Sequence, residues 1–337
     1  MTPAVLPERE DLLARLHVVS IPMRVPFRGV DHREAVLIDG PSGWGEFAPF
    51  LEYPDAEAAR WLAAAIESAY AAWPAPRRDT IPVNATVPAV APDDVPGVLA
   101  RFDGCTTAKV KVAERGQTLA DDLARVSAVR SAMGPSARVR VDANGAWDVE
   151  SAVTALRALS ACDLEYAEQP CPTVEDLAEL RIRLARNGID VPIAADESIR
   201  KADDPLRVAA LQAADLVVVK AAPLGGVHRA LEVVAASGLV AVVSSALDTS
   251  VGIAAGVALA AALPTLEHAC GLGTVGLFTA DVAAEPLRPV GGVLRPGRSE
   301  PTAEALARLA APQHRRRWWV DRVGRCLDLL RVPGLPS

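Results

Sequence analysis

The chain has 337 residues and a formal net charge of −7, enough length for one large domain and a smaller one, with no global positive field for a polyanion to meet. Half of it is hydrophobic and 23% is charged, an ordinary globular composition. Five cysteines, an odd number with no C-x-x-C pair, argue against a disulfide framework or a zinc site and for reduced thiols. The first residues, with Glu8, Glu10 and Asp11, lack the basic start and apolar run of a signal peptide, so a cytoplasmic protein is expected. Leu16–Met23, Glu34–Asp39 and Gly43–Phe47 read as antiparallel strands, with a turn at 39–43. A helix over Asp55–Trp73 follows, and residues 1–80 together read as a small α+β domain.

From about residue 81 to 279 one rhythm repeats: a short Val/Ile/Ala-rich run, then an amphipathic stretch. Strands are expected at Ile81–Thr86, Ala108–Val112, Val139–Asp142, Leu164–Glu168, Ile193–Asp196, Leu216–Lys220, Ala241–Ser245 and Leu266–Ala269. Helices fit between them at Leu119–Met133, Asp148–Leu159, Val174–Asn187, Pro205–Gln212, Gly226–Ser237 and Ser250–Leu263. Alternation of this kind means parallel strands joined by crossovers. Charged residues fall at the C-terminal ends of these runs, which meet at one mouth only if the sheet closes into a (β/α) barrel. The apolar run Val251–Leu263 is too short to span a bilayer and reads as a buried helix. After Gly273 the pattern dissolves into Pro/Gly-rich sequence and a helix near Thr302–Ala311; this tail, about 280–337, is expected to complete the first domain. The basic cluster Arg315, Arg316, Arg317, followed by Trp318 and Trp319, reads as a solvated helix face packed by two tryptophans rather than a nucleic-acid site.

Asp142, Glu168 and Asp196 each close an apolar run, about one βα unit apart. Taken singly, each could cap the helix that follows. In register on three consecutive strands they converge, and bare carboxylates so placed repel one another and resist desolvation. A hard divalent cation such as Mg²⁺ resolves this, with Mn²⁺ an acceptable substitute. In Lys109-Val110-Lys111 both lysines face the same way, since strand side chains alternate. Two neighbouring ammonium groups lower each other's pKa, which makes one a usable base. Lys220 ends the sixth run and approaches from across the mouth. Salt-bridge partnership with the acids is the alternative for all three lysines, but inward lysines would be an odd structural choice for these strand ends. Gly271, Gly273 and Gly276 spell G-x-G-x-x-G, but no βαβ unit surrounds them, and a dinucleotide site is not expected.

The phrases Ala108-Lys109-Val110-Lys111, Val141-Asp142-Ala143-Asn144-Gly145-Ala146-Trp147, Ala167-Glu168-Gln169-Pro170 and Ala195-Asp196-Glu197-Ser198, followed by Lys220, resemble the motifs of the enolase superfamily, muconate-lactonizing subgroup. The likeness covers nearly the whole chain. It implies a modified barrel, (β/α)7β, with an α+β N-terminal capping domain. It also implies that Asp142, Glu168 and Asp196 bind Mg²⁺, that Lys111 and Lys220 are catalytic, and that Lys109 tunes Lys111. Within the subgroup, residues 22–30, 43–50, 244–250 and 271–274 are similar to a dehydratase branch acting on a cyclohexadiene carboxylate. Ser244, Ser245, Gly271, Leu272, Gly273, Arg24 and Arg28 are the expected contacts to that small carboxylate substrate, with 24–30 and 45–50 as lid loops. Dipeptide epimerases of the subgroup carry an Asp-x-Asp where this chain has Cys270-Gly271-Leu272-Gly273-Thr274. The alternatives are a racemase, epimerase or cycloisomerase acting on an N-acylamino acid, dipeptide or muconate-type substrate, and a metal-binding structural protein. An intact lysine pair argues against the last, because metal binding alone needs no base.

Overall fold

A computed structural model describes residues 6–27, 29–201 and 206–332. It opens with a short helix α1 (Arg9–Ala14) and an antiparallel sheet of β1 (Leu16–Phe27), β2 (Val30–Gly40) and β3 (Gly43–Phe47). Helix α2 (Asp55–Tyr70) covers that sheet. It stops three residues short of the expected end because Ala71 turns extended ahead of Trp73-Pro74, and a residue before proline disfavours helix.

The barrel begins with β4 (Ile81–Pro82) and β5 (Ala85–Val87), then α3 (Val95–Leu99), β6 (Thr107–Lys111), α4 (Leu119–Met133), β7 (Arg138–Asp142), α5 (Val149–Leu159), β8 (Leu164–Glu168), α6 (Val174–Arg186) and β9 (Ile193–Ala195). It continues with α7 (Glu197–Lys201), α8 (Leu206–Ala210), β10 (Leu216–Val219), α9 (Val227–Ser237), β11 (Val240–Val243) and α10 (Ser250–Ala262). β5 to β11 form one parallel sheet in sequence order. Its helices start where polar side chains take up orphan N–H groups: Thr118 with Asp121 in a capping box, Asp148 for α5, Thr173 for α6.

Two strand expectations change. The run Ile81–Thr86 is not one strand, because Val293–Leu294 (β12) pairs antiparallel with Ile81–Pro82 and separates that stretch from β5. No strand forms at Leu266–Ala269. The eighth stave is instead a two-residue contact: Cys270 bridges Val83 and Gly271 bridges Ser244, which joins the two ends of the sheet. The glycines of the G-x-G-x-x-G stretch serve this closure. A Cβ on Gly271 would sit 2.4 Å from the Ser244 hydroxyl, and one on Gly273 3.0 Å from the Phe102 ring.

The tail folds back onto the first sheet through α11 (Ala303–Arg308) and α12 (Gln313–Leu330), the latter packed on α2. Arg315 Nε and Trp319 Nε1 both donate to the Glu34 carboxylate, at 2.9 and 2.8 Å. The basic cluster is thus partly spent on this docking. Among the described residues no helix is long and apolar enough to cross a membrane.

The capping domain grips the barrel through two buried acidic side chains. The Glu67 carboxylate of α2 accepts from the Val227 and His228 amides at the start of α9, at 2.5 and 3.1 Å. Glu46 of β3 accepts from the Thr249 and Gly252 amides at the start of α10, at 3.1 and 2.9 Å. Each places acceptor oxygens on the free N–H groups at the start of a helix.

Candidate active site

Strand alternation decides what meets inside the barrel. Tyr166, Ala194, Leu216, Val218 and Val242 form an apolar cluster separate from the main core, while their chain neighbours join the outer one. The Arg140 guanidinium lies over the Tyr166 ring at 4.6 Å and extends this floor. Two residues onward along the same inward face stand Asp142, Glu168, Asp196, Lys220 and Ser244. Lys111 joins that layer as the register partner of Asp142, and Lys109 sits one step lower beside Arg140. All are buried.

The bonds among them are direct. Lys109 Nζ donates to Glu168 Oε1 at 2.7 Å and lies 3.2 Å from Asp142 Oδ2. Lys111 Nζ donates to Asp142 Oδ2 and to Asn144 Oδ1, both at 2.5 Å. Lys220 Nζ donates to Asp196 Oδ2. Gln169, in the left-handed region at φ +38, spans two strand ends: its Oε1 accepts from the Asp196 and Ser198 amides at 2.8 and 3.1 Å. By strand order β6 and β10 lie four staves apart in a ring of eight, so Lys111 and Lys220 face each other across the mouth. The three carboxylates occupy the arc between them.

The two lysines of the pair do not lower each other symmetrically. Burial lowers Lys111 below the ordinary lysine range against the pull of Asp142, and Lys109 adds to the lowering. Burial also opposes the Lys109 charge, but Glu168 and Asp142 outweigh it and raise that pKa. Burial opposes the Asp142 charge too, yet Lys111 and Lys109 hold Asp142 far below the carboxylate range. Burial and then Asp142 push Glu168 up to about 7.

That last shift comes from a carboxylate cut off from water with a second one beside it. Glu168 Oε2 is buried and takes no hydrogen bond among the described residues. Here the lysines supply the counter-charge, and among the described residues no three acidic, histidine or cysteine side chains form a ready-made cation cage. The donor chemistry still fits a hard divalent ion: three carboxylates on consecutive strand ends, one with an idle oxygen. Asp142, Glu168 and Asp196 are the residues that could hold it.

A cavity opens above these groups. Lys109, Lys111, Asp142, Asp196 and Lys220 line it, as do Ser244, Ser245 and Gly271 among the expected contacts. Leu272 and Gly273 do not: the Leu272 side chain packs toward Gly256 of α10, and Gly273 abuts Phe102. Arg24 is exposed and away from the cavity, and Arg28 lies outside the described residues. Both expected lid segments reach the cavity, through Phe27 and Phe50, and the Lys111 ammonium sits 5.1 Å from the Phe27 ring centre. The sequence reading passed over Thr86, which also lines the cavity and whose buried hydroxyl has no partner among the described residues. Its signal was its register with Lys109, legible only once β5 and β6 are paired.

An inward lysine pair, three converging carboxylates and a facing lysine at the mouth of a capped barrel define a class. Residues 98–301 match the enolase C-terminal domain-like model and residues 18–69 the enolase N-terminal domain-like model, so the chain belongs to the enolase superfamily. It is 60% identical over 326 residues to the o-succinylbenzoate synthase of Mycolicibacterium smegmatis, spanning 96% of this chain and 99% of that one. Identity to the o-succinylbenzoate synthase of Mycobacterium marinum is also 60%, over 97% of each chain. Among solved structures, muconate lactonizing enzyme from Pseudomonas fluorescens complexed with muconolactone superposes with a TM-score of 0.74 at 23% identity, over 88% of this chain and 98% of that one. That likeness speaks for the fold.

Proposed function

We propose that the chain is an o-succinylbenzoate synthase, a hydro-lyase that converts 2-succinyl-6-hydroxy-2,4-cyclohexadiene-1-carboxylate to o-succinylbenzoate on the way to menaquinone. The observation that carries the chemistry is the pair of lysines opposed across the mouth, with three carboxylates between them. Identity of 60% to o-succinylbenzoate synthases over nearly the whole chain supports the substrate. The partner is accordingly a small carboxylate, and the setting cytoplasmic.

A proton on carbon next to a carboxylate is weakly acidic, because its removal puts a second negative charge on that group. Mg²⁺ held by Asp142, Glu168 and Asp196 would supply positive charge at the carboxylate oxygens. A lysine base paired with magnesium is the general pattern of this superfamily. Lys111, whose ammonium is destabilised by burial, takes the proton from C1. Lys220 stays protonated on the opposite face and stabilises the developing charge. Lys111 then returns its proton to the hydroxyl leaving C6. The C1–H and C6–O bonds break, the ring gains its third double bond, and water departs. Phe27 and Phe50 exclude solvent from above. No acidic residue follows the closing stave at 270–274, so a substrate ammonium would lack a counter-ion there.

Complementation tests this reading. The wild-type gene is expected to restore menaquinone-dependent growth to a strain lacking its own synthase, and the Lys111→Ala gene to fail. Failure of an expressed, folded wild-type chain counts against the substrate assignment.

A further inference from the structure

The wall of the cavity that faces Asp142 is held in part from the other domain. β11 stands four staves from β7 and next to β10, so residues 244–247 lie across the mouth from Asp142 and beside Lys220. A substrate that fills the cavity between Lys111 and Lys220 meets this wall. Ser244, Ser245, Ala246 and Leu247 all line it.

Ser244 and Ser245 are bonded within the barrel, but the end of the wall takes its support from outside it. Leu247 has φ +61, a left-handed conformation that a leucine rarely adopts unless its surroundings impose it. The group that engages its carbonyl comes from β2 of the capping domain. Arg33 Nε donates to Leu247 O at 3.0 Å, and Nη2 donates to Ala246 O at 3.1 Å and to Ala48 O. The same guanidinium lies 4.6 Å from the centre of the Phe50 ring, another piece of the cavity lining. Arg33 is 3% exposed. One planar fork thus fixes the barrel wall, the 48–50 segment and the Phe50 ring relative to one another, a geometry that a lysine's single ammonium cannot reproduce.

We propose that Arg33 is a positioning residue for substrate binding: by holding the carbonyls of Ala246 and Leu247 from the capping domain, it sets the shape of the wall that grips the end of the substrate remote from Lys111. It touches neither the reacting carbon nor the carboxylates, so its loss should weaken binding of substrate and transition state alike. Such a loss appears in KM and leaves kcat nearly intact.

The inference rests on the dehydratase reading of the site. Its test is steady-state dehydration by wild type, Arg33→Lys and Arg33→Met, with Mg²⁺ affinity measured by calorimetry and folding followed by thermal unfolding. KM is expected to rise by about tenfold or more in both variants, with kcat lowered less than about threefold and Mg²⁺ affinity unchanged. A fall in kcat at constant KM, or an Arg33→Lys enzyme equal to wild type, overturns the proposal. If neither variant folds, hydrogen exchange on the unmodified chain decides. Residues 245–249 should be protected before any ligand is added, and rapid exchange there that slows only with o-succinylbenzoate bound overturns the proposal. A wild-type chain that does not dehydrate the substrate sinks the dehydratase reading instead, and the exchange measurement still stands.

Discussion

Lys111 and Lys220 occupy facing staves but unlike surroundings. Lys111 shares a strand face with Lys109, bonds to Asp142 and Asn144, and lies under Phe27. Lys220 has Asp196 as its bonded partner. With Lys111 as base and Lys220 as a fixed charge, Lys111→Ala should abolish both dehydration and exchange of the substrate's C1 proton with solvent. Lys220→Arg keeps a cation and should retain slight turnover. Lys111→Arg should retain none, because a guanidinium cannot accept a proton at working pH. Turnover in Lys111→Arg with none in Lys220→Arg would reverse the two roles. The carboxylates call for a separate measurement. Asp142→Asn, Glu168→Gln and Asp196→Asn should each weaken Mg²⁺ binding by more than the roughly 10–100-fold typical of outer-sphere partners. Three calorimetric titrations indistinguishable from wild type would remove them as ligands. Much of this layer was legible, because a period of two puts Lys109 and Lys111 on one face whatever the fold. That Lys111 loses affinity for its proton was expected from Lys109 beside it; that Lys109 gains affinity instead was not legible. That depends on Lys109 meeting Glu168 across two strands, a matter of register between β6, β7 and β8.

The start of α10 shows how an element is seated. Glu46 accepts from the Thr249 hydroxyl at 2.6 Å and from the Gly252 amide, and Gly252 must be glycine because a Cβ there would stand 2.7 Å from Asp248 Cβ and 2.9 Å from Glu46 Oε2. Burial, then the nearby Asp248, pushes Glu46 up to about 8 from its usual 4.5, with Thr249 and Arg33 pulling the other way. Between those two values the folded chain keeps a proton that the unfolded chain has released. The linkage therefore has a definite sign: this group's contribution to stability falls as pH rises through that window. Glu165, held near 2 by His268 and Arg140 against the effect of burial, acts only below it. Urea midpoints of the metal-free chain should accordingly drop between about pH 5 and about pH 8, with Glu168 adding to the drop, and Asp248→Asn, which removes the like charge beside Glu46, should flatten it in part. A wild-type midpoint that climbs over that range speaks against a buried protonated Glu46. The sequence marked 45–50 as a lid segment from its glycine and proline, and Phe50 does reach the cavity. It carried no sign of the clamp, because Glu46 and Thr249 are 203 residues apart.

At the scale of the whole molecule, charge at strand ends was the feature that selected a closed barrel over an open sheet, and the ring of staves bears that out. The eighth stave was expected at Leu266–Ala269 and falls instead at Cys270 and Gly271, for a physical reason. It is made by two residues, one of them a glycine pressed against Ser244, and neither alternation nor β-propensity can register in so short a span. Helix α12 was likewise only glimpsed in its two tryptophans, since its apolar face is interrupted by arginines that pair with Glu34 and Asp55. These pieces matter because the mouth is built jointly. The barrel supplies the lysines and carboxylates, and the capping sheet supplies Phe27, Phe50 and the Arg33 and Glu46 clamps. Dehydration by that joint site is most directly tested with the purified chain, Mg²⁺ and 2-succinyl-6-hydroxy-2,4-cyclohexadiene-1-carboxylate, following the aromatic absorbance of the product. The expected result is stoichiometric o-succinylbenzoate at many turnovers per site, lost on chelation and restored by added Mg²⁺. Aromatisation no faster than in buffer, by a folded chain that binds Mg²⁺, would contradict it.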